Sequence, residues 1–231
     1  MAHMEENANR DGRLHALPGI VRSGPSPVSL RTLELDGVRD GYLYVPRRAG
    51  SPAPLVLLLH GAGEDARDGL ALLRGQADAA GLILLSLSSR GSTWDLIAGR
   101  GRYGPDVTAI DRALEQTFSL CAVDPARVAV GGYSDGASYA LSLGLANGDL
   151  FTHVLAFSPG FMEPAARSGS PKIFVSHGTL DRWLPIDSCS RRIVPQLERA
   201  GYEVRYREFD SPHVVPPGIG REAAGWFAKR G

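Results

Sequence analysis

Two cysteines in 231 residues, Cys121 and Cys189, are too few for a disulfide framework, and their separation fits no metal-ligand spacing. Each suits a small buried apolar position. An excess of charge of one sign is also missing: 25 basic residues balance 25 acidic ones, for a formal net charge of zero. That argues against a nucleic-acid surface or a polybasic membrane patch. The pairs Arg47-Arg48 and Arg191-Arg192 read as solvated faces. No run approaches the ~18 apolar residues that would span a bilayer. Residues 5–29 are polar and rich in Pro and Gly, without the apolar core of a secretory signal. The expectation is a cytoplasmic protein, unless a leader has been trimmed away. The six histidines are scattered without H-x-x-x-H spacing, so neither a metal nor a cofactor is expected. Internal repeats and low-complexity linkers are lacking too.

What is present is an alternation of apolar runs and helix-like stretches. Strand-like segments lie at 30–35, 41–45, 55–60, 82–87, 127–132, 152–157, 172–177 and 202–208. Helical stretches fall at 66–80, 105–119, 136–147, 187–200 and 219–229. Strands alternating with helices imply right-handed crossovers and an α/β fold, a doubly wound and mainly parallel sheet with helices on both faces. The chain divides into an N-terminal extension, 1–29, beginning with Met1-Ala2-His3-Met4 that resembles a cloning remnant, and one domain over 30–231. A second core is too large a demand for this length.

The stretch that carries chemistry is Gly132-Tyr133-Ser134-Asp135-Gly136. G-x-S-x-G is weak alone, but here an apolar run precedes it and an Ala/Leu-rich helical run follows. Strand, tight turn and helix are what a nucleophile elbow needs to lift a serine hydroxyl above a sheet. A base and an orienting acid should follow in the order Ser, Asp or Glu, His. Asp181 lies just past the apolar run ending at His177, and His213 lies on the loop after the last strand-like run. Asp187 and Asp210 are rivals for the acid. Asp187 reads better as the N-cap of the next helix, and Asp210 is close to His213 on one loop. Upstream, Leu55 to His60 runs into Gly61-Ala62-Gly63-Glu64, a Gly-rich turn whose amides could face a cavity. An oxyanion needs two N–H donors, and the backbone amides of Ala62 and Asp135 are the candidates. His60 is read as a positioning residue rather than the base.

Those pieces, Leu59-His60-Gly61-Ala62-Gly63-Glu64, Gly132-Tyr133-Ser134-Asp135-Gly136, His177-Gly178-Thr179-Leu180-Asp181 and Pro212-His213-Val214-Val215-Pro216-Pro217, resemble the α/β-hydrolases. In particular they are similar to small bacterial carboxylesterases and phospholipase-type esterases. One departure is Ser211-Pro212 before the histidine, where relatives often carry Gly-Gly. The resemblance implies an α/β-hydrolase fold and a carboxylesterase-type serine hydrolase. Its catalytic residues would be Ser134, Asp181 and His213, and its partner a small-molecule ester. A homodimer is compatible with it.

Residues 158–171 are too few for a cap domain, so an open site for short acyl esters is expected. Trp94, Phe161, Trp183 and Leu184 are the candidate pocket walls. A thioesterase or acyltransferase would use the same residues. A peptidase lacks a domain to select its peptide, and a non-catalytic scaffold would be expected to have lost one of the three residues. Gly99-Arg100-Gly101-Arg102-Tyr103-Gly104 has dinucleotide-fingerprint spacing. It follows no first-strand run, and Pro105 stands where the helix should be under way, so it reads as a loop.

Overall fold

A computed structural model describes residues 11–19, 29–35, 39–47 and 49–229. The four residues resembling a cloning remnant lie outside them. Eight strands form one sheet in the order β1-β2-β4-β3-β5-β6-β7-β8. They are β1 (Ser29–Glu34), β2 (Arg39–Val45), β3 (Ala53–Leu59), β4 (Ile83–Leu87), β5 (Val123–Tyr133), β6 (His153–Phe157), β7 (Lys172–Gly178) and β8 (Val204–Phe209). Only β2 runs against its neighbours; β3 through β8 are mutually parallel. The expected strands are therefore all present, within a few residues of their expected limits.

The centre of the sheet is buried on both faces because its strands are largely apolar there, and β3 is apolar at every position. In β3, Leu55, Leu57 and Leu59 face one core, and Val56 and Leu58 face the other, as a period of two dictates. The second core is closed by α1 (Ala66–Ala80) and α6 (Pro217–Ala228), through Leu70, Leu73 and Ala77 against Ala223, Ala224 and Phe227. The first is closed by α3 (Pro105–Leu120), α4 (Asp135–Ala146) and α5 (Ser190–Arg199). Helix α4 is buried from Gly136 to Ala146. That explains why its sequence is Ala, Leu, Ser and Gly without an exposed polar stripe.

Local signals set the helix starts. Asp65 and Asp68 form a reciprocal capping box at α1, and Gly81 ends that helix in the left-handed conformation. Helix α5 departs from expectation. It begins at Ser190, and Asp187 is an exposed partner of Arg191 in the preceding turn rather than the N-cap. A short helix α2 (Asp95–Ala98) also appears, inside what the sequence presents as loop. Asp95 and Asp106 hold it by exchanging contacts: Asp106 accepts from the Asp95 amide at 2.7 Å, and Asp95 from the Asp106 amide at 2.8 Å. Burial and the neighbouring Asp106 carboxylate push the Asp95 carboxyl up to about 6.

Residues 11–19 lie against the domain rather than apart from it. The Leu14 amide donates to Asn147 at 2.8 Å, and Leu14 and Ala16 join the first core. Between β6 and β7, residues 158–171 hold no helix and no strand beyond a single bridge at Gly169. Cys121 and Cys189 are both buried, and neither forms a disulfide. No helix among the described residues is long and apolar enough to cross a membrane.

Two glycines set how closely α4 approaches the sheet. A Cβ on Gly136 would strike the carbonyl oxygens of Leu59 and His60, and one on Gly132 would strike the carbonyl of Gly136. Backbone cannot yield as a side chain can. Gly136→Ala should therefore lower stability by about 1–3 kcal/mol, read as a lower urea midpoint at unchanged slope. Gly75→Ala, on the exposed side of α1 with open space around it, should be neutral or stabilising.

Candidate active site

Ser134 stands at the junction of β5 and α4 with φ 56° and ψ −119°, a left-handed conformation rare for a residue with a side chain. The strain is held by bonds on both sides. The Ser134 amide donates to Phe157 at 3.0 Å, and its carbonyl accepts from Ala137 at 3.0 Å and Ser138 at 3.1 Å. The hydroxyl is thereby lifted off the sheet, where it meets His213: Oγ to Nε2 is 2.9 Å.

His213 follows β8, and its Nδ1 hydrogen-bonds Asp181 Oδ2. An ionised carboxylate only accepts, so Nδ1 carries the proton and Nε2 presents a lone pair to the serine hydroxyl. Residues 79 and 32 positions apart in sequence thus meet in one line. Tyr133 braces the loop: its hydroxyl donates to the His213 carbonyl at 2.7 Å, and its ring lies 4.8 Å from the imidazole. The acid loop and the histidine loop are also joined by main-chain bonds, Thr179 to Phe209 and Leu180 to Ser211.

Asp181 has no exposed side-chain surface. Its Oδ1 accepts from the amides of Trp183 and Leu184, both at 2.9 Å. Burial pushes its pKa up, but the Leu184 amide, His213 and the Trp183 amide outweigh burial and leave it below the usual carboxylate value. Of the rivals, Asp187 pairs with Arg191, and Asp210 is exposed.

The early Gly-rich turn is oriented by His60. Its Nε2 accepts from the Ser89 amide at 3.0 Å, so Nδ1 carries the proton and donates to the Gly61 carbonyl at 2.6 Å. Carbonyl and N–H of one peptide point in opposite directions, so fixing the Gly61 carbonyl sends the Ala62 N–H the other way. The Gly61 amide is tied in turn to Glu64 at 2.8 Å. No turn, loop or cap hydrogen bond among the described residues uses the amides of Ala62 or Asp135.

The expected wall residues divide. Trp94 is fully buried, donating Nε1–H to the His60 carbonyl at 2.9 Å, with its ring tilted by 40° against His60 at 4.9 Å. It lies beneath the turn and supports it, which corrects its expected place on the pocket wall. Phe161 lines a cavity of 300 Å³ with Leu96 and Ile97. Leu184 is half-buried against Gly160, and Trp183 is 84 % exposed. A groove of 390 Å³ beside His213, lined by Glu64, Leu72, Tyr133, Val214 and Pro216, went unforeseen. The role of the buried His177 behind Asp181 was not foreseen either, although His177 opens the His177-Gly178-Thr179-Leu180-Asp181 piece of the resemblance.

No protein-family model matches the sequence, and no curated protein matches it. Solved structures do. Esterase PE8 is 23 % identical with a TM-score of 0.65, over 86 % of this chain and 98 % of its own. The S-formylglutathione hydrolase FrmB from Staphylococcus aureus is 14 % identical with a TM-score of 0.70, over 91 % and 100 %. A Bacillus cereus carboxylesterase is 19 % identical with a TM-score of 0.60, over 80 % and 91 %. Strand order, elbow and neighbours agree: the chain has the fold of the α/β-hydrolase superfamily.

Proposed function

We propose that this protein is a serine hydrolase of small carboxylic esters, with Ser134 as nucleophile, His213 as base and Asp181 as orienting acid. The observation that carries the reading is the 2.9 Å contact of Ser134 Oγ with a His213 whose other nitrogen is engaged by a buried carboxylate. His213 Nε2 takes the hydroxyl proton as Oγ attacks the acyl carbon. Asp181 holds the tautomer and stabilises the imidazolium that forms. The tetrahedral oxyanion is held by the Ala62 and Asp135 amides, close to the positive end of the α4 dipole. His213 then gives the proton to the leaving oxygen, and a water deprotonated by the same imidazole releases the acid.

The groove beside His213 suits the departing alcohol, since the proton donor must stand next to the leaving oxygen. The acyl group then falls toward Phe161 and Leu184, with Trp183 at the rim. S-formylglutathione hydrolases are among the structural neighbours, which favours a thioester as the second reading. The serine, base and oxyanion donors would serve both.

Ser134→Ala should abolish ester hydrolysis with circular dichroism unchanged. Loss of a nucleophile of this kind costs on the order of 10⁶ in turnover. Retention of more than a small residue of activity by the pure variant would remove Ser134 from the mechanism.

The pH dependence follows from the base. His213 must be neutral to accept a proton, so kcat/KM should fall as pH is lowered and the imidazole becomes protonated. Asp181, held below the usual carboxylate value, stays ionised through that limb, so the limb should follow one proton. His213→Ala should lose both the activity and the limb. A flat profile from about pH 5 to 9 would exclude an imidazole base.

Chain length is set by what can be buried. The link at 158–171 is irregular, and no helix or strand within it forms a cap over the site. Each CH₂ adds about 0.8 kcal/mol only while it is covered. Across p-nitrophenyl esters from acetate to palmitate, kcat/KM should peak at short chains and show no rise when substrate aggregates. A peak at the long-chain end, or activation at an interface, would contradict the open site.

A further inference from the structure

A second histidine stands behind the catalytic acid. His177, in β7, has no exposed side-chain surface. Its Nε2 lies 2.8 Å from the Leu184 carbonyl and 3.2 Å from Asp181 Oδ2, and its Nδ1 lies 2.6 Å from Ser190 Oγ. A carbonyl only accepts, so the proton must sit on Nε2. Nδ1 is then bare and accepts from the Ser190 hydroxyl, which fixes the tautomer from the start of α5. Burial lowers the pKa of His177, against the pull of Leu184 and Asp181, which favours the neutral ring.

The two imidazoles divide the carboxylate between them. Oδ1 is taken by the amides of Trp183 and Leu184, while Oδ2 faces His213 and His177. His177 also grips the loop from its other end. Leu184 donates its N–H to Asp181 and accepts through its carbonyl from His177, so one residue ties ring and acid together. A buried histidine satisfied by Ser190 and Leu184 alone could be mere packing. The nitrogen only 3.2 Å from the reacting side of the acid is what packing does not require.

We propose that His177 is a positioning residue for Asp181: its Nε2–H, locked by Ser190 and Leu184, holds the carboxylate square to His213 and tempers its pull on the His213 proton. This rests on the hydrolase reading above. Loss of that N–H would leave Asp181 a stronger base, which stabilises the imidazolium and moves the acid limb of kcat/KM to higher pH. The other titratable groups nearby are Tyr133 on the His213 ring, Cys189 beside Asp181, and Glu208 of β8, which is paired with Arg191. None of them is altered by the substitutions below.

The test compares His177→Leu, His177→Gln and Ser190→Ala in the full chain. His177→Leu should move the limb up by about half a pH unit. It should also lower kcat roughly three- to tenfold with KM little changed. His177→Gln, which returns an amide N–H near the Nε2 position, should bring the limb back toward wild type. Ser190→Ala, which keeps the ring but frees its tautomer, should move the limb in the same direction by less, and it decides the matter if His177→Leu does not fold. A limb that coincides with wild type in folded His177→Leu or in Ser190→Ala, or that moves equally in the Leu and Gln variants, overturns the proposal. The downfield proton resonance of His213 Nδ1–H gives a readout independent of turnover and should shift in His177→Leu. If the wild type cleaves no ester and Ser134 resists a fluorophosphonate, the hydrolase reading fails, while the resonance still reports on His177.

Discussion

Everything at the site depends on one residue being held where a side chain is not comfortable. A left-handed non-glycine residue costs on the order of 1–3 kcal/mol, and it persists only when its surroundings over-determine it. At Ser134 they do. The strand ladder takes the amide, the first turn of α4 takes the carbonyl, and Gly132 and Gly136 let backbones close in where any Cβ would collide. The main-chain carbonyls of Leu59 and His60 sit against Gly136, so the elbow and the Gly-rich turn after β3 are built on one contact. Moving α4 outward would displace Ser134 and that turn together.

The parallel sheet supplies the rest of the convergence. β3, β5, β7 and β8 end on the same side, so the loops after them meet above their carboxyl ends although they lie far apart in sequence. That is why a neighbour only 14 % identical superposes over almost the whole chain. The architecture decides where loops can meet, and a few side chains decide what they do there.

This division also explains what could be read from the residues. The buried strands are legible because both faces demand apolar side chains, as in the unbroken run of β3. The order Ser134, Asp181, His213 is legible because each follows a strand-like run, although β8 before His213 is only half-buried, and the three side chains meet in one line of hydrogen bonds. What depends on distant partners is not. Trp94 reads like any aromatic in a loop until its Nε1 is found on the His60 carbonyl. Helix α2 is four residues long, and its support comes from Asp106 across the intervening loop. Asp187 looks like a cap because Asp before a helix commonly is one, but Arg191 claims it four residues on.

The supports around Ser134 share one chemical device, a fixed histidine tautomer. His60 is bare at Nε2 and protonated at Nδ1, which sends a peptide N–H away from the Gly61 carbonyl it holds. His213 has the same tautomer, with the bare nitrogen aimed at Ser134. His177 has the opposite one, because its Nε2 faces a carbonyl and a carboxylate while a hydroxyl covers Nδ1. In each case the neighbour that chooses the tautomer is a main-chain amide, a main-chain carbonyl, a buried carboxylate or a buried hydroxyl. None of these reorganises during a reaction step, so the donors and acceptors are aimed before substrate arrives. Preorganisation of that kind is what makes a hydrogen bond worth more in a buried site than in water.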